Sequence, residues 1–72
     1  MTNTELLEDK IAQSGKKKAY LAKKCGLSAA GFRNCVKNKA EWRASQISIL
    51  CSELDITTSE EKELIFFAVN GS

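Results

Sequence analysis

The chain has 72 residues, of which 11 are Lys or Arg and 9 are Asp or Glu, so its formal net charge is +2. This length predicts a single domain over residues 1–72 with a thin core, because a short chain buries only about 60% of its unfolded surface. The sequence contains no His, the commonest general base and metal ligand, and its three Cys form neither a zinc-binding nor a disulfide pattern. We therefore expect a protein that is not an enzyme and that holds no metal ion and no cofactor.

The sequence offers no segment for export or for membrane insertion. Residues 1–5 have neither the basic region nor the apolar region of a signal peptide. The longest apolar run, residues 64–69, has six residues, whereas a membrane-spanning helix needs about 20. Unpaired cysteines are typical of a reducing compartment. These features predict a cytoplasmic protein without membrane contact.

Apolar residues recur at helical spacing along most of the chain, which favours helices over strands. The first helix is expected to start with a T-x-x-E capping box at residues 2–5 and to reach about Ser14, where Gly15 suits a left-handed C-terminal cap. A second helix is predicted over roughly residues 17–24, and Gly26 ends it.

The third helix is predicted from an N-cap at Ser28 to about Val36. A polar loop follows at residues 37–43, and Trp42 is its only large apolar side chain. The fourth helix is expected to begin near residues 44–45. Its apolar stripe is the clearest in the chain and consists of Ile47, Leu50, Cys51 and Leu54.

The fifth helix is predicted to start near Ser59, because two T-x-x-E capping boxes overlap in residues 57–61. Asn70-Gly71 is a natural C-terminal stop for this helix. Five short helices with short connections predict an all-α domain.

The charge is distributed unevenly along the chain. The net charge is −2 over residues 1–15, +8 over residues 16–43 and −4 over residues 44–72. Clustering of this kind is the electrostatic footprint of a surface that binds a polyanion. The near-neutral total therefore conceals a strongly basic middle third.

The most specific local pattern is KAYLAKKCGLSAAGFRNC at residues 18–35. Its spacing predicts two short helices that cross steeply through a tight turn. Ala22 is small enough for the helices to approach, and Gly26 can take the positive φ that the turn requires. Leu27 is expected to enter the core from the turn, and Ser28 to cap the next helix.

This pattern resembles the helix-turn-helix of the Xre family, the Cro- and phage-repressor-like DNA-binding proteins, with the motif at about residues 17–36. Trp42 looks like the aromatic residue that the family places ahead of its fourth helix, and the resemblance covers nearly all of the chain. It implies a compact five-helix lambda-repressor-like domain. The chain departs from the family at Lys18, where Gln is frequent, and at residues 29–31, where polar side chains are frequent.

The resemblance also implies a function, that of a sequence-specific transcriptional regulator of phage or mobile-element origin. Its partner would be a double-stranded DNA operator, and the short chain leaves no part for a small-molecule effector. The helix of residues 28–36 would enter the major groove. The residues expected to contact bases are Ser28, Ala29, Ala30, Arg33 and Asn34. The residues expected to contact phosphates are Lys17, Lys18, Lys37, Lys39 and Arg43.

The chemistry of these side chains fits those roles. The planar guanidinium of Arg33 matches the O6 and N7 atoms of guanine, whereas Asn34 suits either adenine or a phosphate. Ala29 or Ala30 can pack on a thymine methyl group. Phosphate contacts fix the register of a protein on DNA and set its affinity.

The six apolar residues at positions 64–69 cannot all share one buried stripe, because successive helical residues lie about 100° apart. Leu64 and Phe67 fit a core stripe. A small domain could wrap its last helix deeply and cover both faces. The interpretation that we favour is a homodimer interface formed by the remaining large residues, Ile65, Phe66 and Val69. Such a dimer would space two recognition helices about 34 Å apart, to meet successive major grooves.

A second interpretation is a protein-interaction module, or an antitoxin-like component, that keeps the helix-turn-helix fold with little DNA specificity. The alanines at positions 29 and 30 favour it slightly, and the basic middle third opposes it. Retention on DNA at moderate salt would distinguish the two interpretations, since fold alone does not fix function.

Overall fold

The computed structural model describes residues 1–68, which form five packed helices without a strand. The helices are α1 (Thr4–Ser14), α2 (Lys18–Lys24), α3 (Ala29–Val36), α4 (Ala44–Glu53) and α5 (Ser59–Phe66). The all-α fold with five helices is thereby confirmed. None of the helices in the described range has the length and apolar character needed to cross a membrane.

The core lies where the five helices meet, and helical spacing places its residues inward. Trp42, from the loop between α3 and α4, packs edge-on against Phe32 and Phe66, with ring centroids 5.4 and 6.2 Å away. This one loop residue therefore joins α3 to α5. The buried cluster consists of Leu7, Ile11, Leu21, Ala22, Cys25, Phe32, Val36, Ile47, Leu50, Leu54, Ile56, Ile65 and Phe66.

The N-terminus of α1 differs from the prediction. Asn3 rather than Thr2 is the N-cap, because its side chain accepts a hydrogen bond from the Leu6 N–H at 3.2 Å. Thr2 is instead buried, with its backbone N–H and carbonyl both bonded at 2.7 Å to the side-chain amide of Asn38. The predicted capping box is therefore wrong. At the other end of α1, Gly15 has a φ of +70°, which confirms the expected left-handed cap.

The N-terminal segment connects the end of α3 to the end of α5. Asn38, whose amide holds this segment, follows α3 in the left-handed conformation with a φ of +64°. The Thr4 hydroxyl donates to the Val36 carbonyl at 2.6 Å. Toward α5, the Asn3 N–H donates to the Ile65 carbonyl at 2.6 Å. These bonds fix the C-terminal end of α3 relative to the rest of the domain.

The rotation of α5 is opposite to the one predicted. Ile65 and Phe66 are only 1% and 4% exposed and lie in the core, whereas Leu64 and Phe67 are 62% and 53% exposed. The physical reason is tertiary, since the Ile65 carbonyl is bonded to the N-terminal segment and Phe66 packs on Trp42. The prediction that Ile65 and Phe66 form a surface interface is therefore wrong.

The start of α5 lies where it was predicted, whereas its C-terminal end does not. At the start, Thr58 is the N-cap, because its side chain accepts from the Glu61 N–H at 3.1 Å, and the helix begins at Ser59 as predicted; the reciprocal bond from the Glu61 side chain that would complete the capping box does not form in the described residues. The helix ends at Phe66, earlier than expected. Val69, the third predicted interface residue, and the stop at Asn70-Gly71 lie outside the described residues.

The three cysteines are free, and Cys25 and Cys35 are buried while Cys51 is half-buried. Burial raises the pKa of each thiol above its usual range. This shift favours the protonated thiols at neutral pH, and Cys25 and Cys35 pack as small buried side chains.

Candidate nucleic-acid interface

A tight turn joins α2 to α3. Gly26 has a φ of +71°, a conformation that glycine adopts without steric cost, and it ends α2 as predicted. The Leu27 N–H donates to the Ala22 carbonyl at 2.9 Å, which closes the turn. Ser28 then caps α3 by accepting from the Gly31 N–H at 3.0 Å. Local sequence therefore sets the direction in which α3 leaves α2.

Gln46, a buried polar residue near the start of α4, braces this turn. Its Nε2 donates to the Cys25 carbonyl at 3.3 Å, and its Oε1 accepts from the Arg43 N–H at 2.9 Å. The side chain thus satisfies one carbonyl at the end of α2 and one N–H at the start of α4. No pattern in the sequence marks Gln46 for this role, because its partner lies 21 positions away.

Gly31 has a packing role inside α3. A Cβ atom at this position would lie 3.2 Å from the Ser28 Oγ, a contact that would push on the cap. Glycine costs a helix interior about 1 kcal/mol relative to alanine. Glycine at this position leaves room for the capping hydroxyl.

The α3 helix has one buried face and one exposed face. Phe32, Cys35 and Val36 point into the core. Every residue predicted to contact bases is exposed, namely Ser28, Ala29, Ala30, Arg33 and Asn34. Within residues 1–68, the side chains of Arg33 and Asn34 make no hydrogen bond and no ion pair with the rest of the protein. This face is therefore free to bind a ligand.

The residues predicted to contact phosphates are also exposed: Lys17, Lys18, Lys37, Lys39 and Arg43. Residues 16–43 carry nine cations, and in the described part of the chain only two of them form ion pairs. Lys16 bonds to Glu53, and the Nζ of Lys18 lies 2.7 Å from the Oε1 of Glu8. The other seven cations of this segment form no ion pair within residues 1–68.

The Lys16 side chain serves the fold. Its Nζ donates to the carboxylate and to the backbone carbonyl of Glu53, both at 2.8 Å, at the C-terminal end of α4. The hydrogen bond from Lys16 lowers the pKa of the Glu53 carboxyl below its usual range. The same bond raises the pKa of the Lys16 ammonium. This pair fastens the connection between α1 and α2 to α4.

The Glu53 pair predicts how stability depends on acidity. The pKa of the Glu53 carboxyl is lower in the folded chain than in the unfolded chain. The ion pair therefore stabilises the fold at pH values above the pKa of an unfolded glutamate. This stabilisation is lost as the pH falls through the folded pKa of Glu53. In urea unfolding, Glu53→Gln is expected to be less stable than the wild type at pH 7, and the difference should shrink as the pH falls through the folded pKa of Glu53. Glu63→Gln removes an exposed carboxylate without an ion pair in residues 1–68 and is the matched control. A gap between wild type and Glu53→Gln that stays constant with pH would contradict this assignment.

A cleft of about 200 Å³ opens between α1, α2 and α3 beside the exposed face of α3. Among residues 1–68, three cations line it, Lys18, Arg33 and Lys37, together with one carboxylate, that of Glu8. Sequence reasoning did not find Glu8, because it lies in the acidic first helix and reaches this cleft only through folding. The folded chain therefore brings one anion into an otherwise cationic site.

The described residues thus define an all-α domain in which a short helix, held by a tight turn, presents an exposed face surrounded by cations. The chain matches no family model, no curated protein and no solved structure. Its function has to follow from the chemistry of the site.

Proposed function

We propose that this protein is a sequence-specific, double-stranded-DNA-binding transcriptional regulator of the helix-turn-helix type, with a lambda-repressor-like fold. In this proposal α2, the turn at Gly26 and α3 form the motif, and α3 enters the major groove. The observation that carries the proposal is the exposed face of α3. It presents Arg33 and Asn34 without partners in residues 1–68, while the opposite face is fixed in the core.

The exposed face has the chemistry of base recognition. Arg33 can donate two parallel hydrogen bonds to guanine, and Asn34 can pair with adenine or hold a phosphate. Ala29 and Ala30 are small, so the helix backbone can approach the base edges and a thymine methyl group can pack there. The motif therefore supplies both polar and apolar contacts to bases.

The cations around α3 have the chemistry of phosphate binding. Lys17 precedes α2, Lys37 follows α3, and Lys39 and Arg43 lie in the loop before α4; all are exposed. Neutralising phosphates releases counterions, so affinity depends steeply on salt and little on sequence. These residues would fix the register in which α3 reads the groove.

We further propose that the protein binds its operator as a homodimer, through a different surface from the one first predicted. Leu64 and Phe67 are the large apolar side chains that α5 and its end expose, and Leu6 of α1 lines a groove together with Leu64. A two-fold dimer through this surface would present two copies of α3 to a palindromic site.

The decisive experiment is selection of bound fragments from a random pool of double-stranded DNA. The proposal expects an enriched motif made of two inverted half-sites about 10 base pairs apart, and sedimentation should show two chains on it. An enriched motif with a single half-site would contradict the dimer. Absence of enrichment and of any retention on DNA would contradict DNA binding and favour the protein-interaction alternative.

A charge-reversal pair tests where the DNA lies. Lys37→Glu is expected to weaken binding to every duplex about tenfold or more at about 0.1 M salt, because it removes one phosphate contact and adds repulsion. Lys62→Glu makes the same change of charge on α5, outside the turn and α3, and is the control for net charge; sedimentation of this variant must show the same number of chains on DNA as the wild type. Equal losses in a gel-shift titration of the two variants would show that only net charge matters, and would remove α3 from the interface.

A further inference from the structure

Glu8 stands apart from the other acidic residues because it faces the cationic cleft beside α3. Its Oε1 is buried and lies 2.7 Å from the Nζ of Lys18. The two atoms form a close ion pair, and the Glu8 side chain as a whole is 37% exposed. An ion pair with both side chains partly exposed contributes little to stability. Its main effect is on the charge of the cleft.

Because its carboxylate lies in the cleft, Glu8 repels any anion that approaches. Lys18, Arg33 and Lys37 line the same cleft, and Glu8 supplies its one negative charge. Lys18 keeps more than half of its side chain exposed, so it remains accessible to a ligand from solvent. A phosphate that binds Lys18 must either displace the carboxylate or lie beside it.

We propose that Glu8 competes within the molecule with DNA phosphate for Lys18, and that it lowers the affinity of the α3 face for DNA of every sequence. This inference rests on the proposed DNA-binding function. Phosphate contacts carry no sequence information, so Glu8 acts on overall affinity and leaves the preference between sequences unchanged. It weakens the contacts that would otherwise hold the protein on any duplex.

The consequence is measurable as counterion release. In the free protein the Lys18 charge is already balanced by Glu8, so a phosphate bound there releases fewer counterions. Removing the carboxylate makes Lys18 a full phosphate contact. The slope of log affinity against log salt should then steepen by up to about 0.9, the value for one more neutralised phosphate.

The test compares Glu8→Gln with Glu5→Gln on a duplex of random sequence. Glu5 is exposed on the same helix and has no ion pair in residues 1–68, so both variants lose the same charge. Glu8→Gln is expected to bind at least about threefold more tightly at about 0.1 M salt, with the steeper salt slope. Glu5→Gln should change both quantities much less.

A second pair of variants shows whether the effect passes through Lys18. In a Lys18→Gln background, the gain from Glu8→Gln is expected to disappear, because the residue that Glu8 competes for is absent. Glu8→Asp, which shortens the side chain, should give a smaller gain than Glu8→Gln and keeps the test available if Glu8→Gln folds poorly.

Three results would overturn the inference while leaving DNA binding intact: equal effects of Glu8→Gln and Glu5→Gln, weaker binding by Glu8→Gln, or a gain that persists without Lys18. Absence of binding by the wild type and by all of these variants would instead overturn the proposed function, and the inference with it.

Discussion

Phe32→Ala is expected to lower the free energy of unfolding by about 3–5 kcal/mol, the usual range for removing a buried phenylalanine. Phe32 is 2% exposed, belongs to the central core cluster and packs edge-on against Trp42. A domain of this size has a total stability of roughly 4–11 kcal/mol. The single substitution should therefore remove a large part of that stability.

Phe67→Ala provides a control with the same change of side chain. Phe67 is 53% exposed at the end of α5, so at protein concentrations low enough for single chains its removal should cost less than about 1 kcal/mol. Urea unfolding followed by far-ultraviolet circular dichroism compares the two variants without relying on Trp42, whose surroundings change in Phe32→Ala. Equal losses of stability would show that the inner face of α3 is not anchored as described.

The parts of the fold that sequence predicted correctly depend on neighbouring residues. Gly15 and Gly26 take the positive φ expected of them, and Ser28 caps α3. Each of these features is decided within about four residues, where capping chemistry and backbone sterics act directly. The exposed and buried faces of α3 followed from the same local periodicity.

Predictions failed where contacts distant in sequence decide the outcome. Asn3 and Thr2 are both good caps, and the choice between them is made by Asn38, which holds the Thr2 backbone from the far end of α3. The predicted rotation of α5 was wrong, because a run of consecutive apolar residues has no periodicity to show which face of the helix is buried. Trp42 and the N-terminal segment supply that orientation.

In the candidate site, too, local features could be predicted from the sequence and contacts between distant residues could not. The exposure of Arg33 and its neighbours could be predicted, because one helix carries them all. The partner of Lys18 could not, because Glu8 belongs to another helix and no local pattern links the two residues. Counting charges along residues 16–43 therefore overstates their unpaired positive charge, because Lys16 and Lys18 each pair with a carboxylate from outside this segment.

Arg33→Ala is expected to reduce the preference for the selected operator over its guanine-substituted variants by about 5- to 150-fold, which corresponds to 1–3 kcal/mol. The reason is that a bidentate arginine contact discriminates between bases, whereas a phosphate contact does not. Gel-shift titrations against the operator and a set of single-base variants measure the preference directly. Binding to unrelated DNA should fall much less.

Arg43→Ala is the matched control, because it removes the same side chain from the loop before α4, where a phosphate contact is proposed. It should weaken binding to all duplexes by a similar factor and leave the preference between bases intact. If Arg33→Ala behaves in the same way, Arg33 binds the DNA backbone. Base recognition would then fall to Asn34 and the small residues of α3, which can read adenine and thymine but offer no comparable contact to guanine.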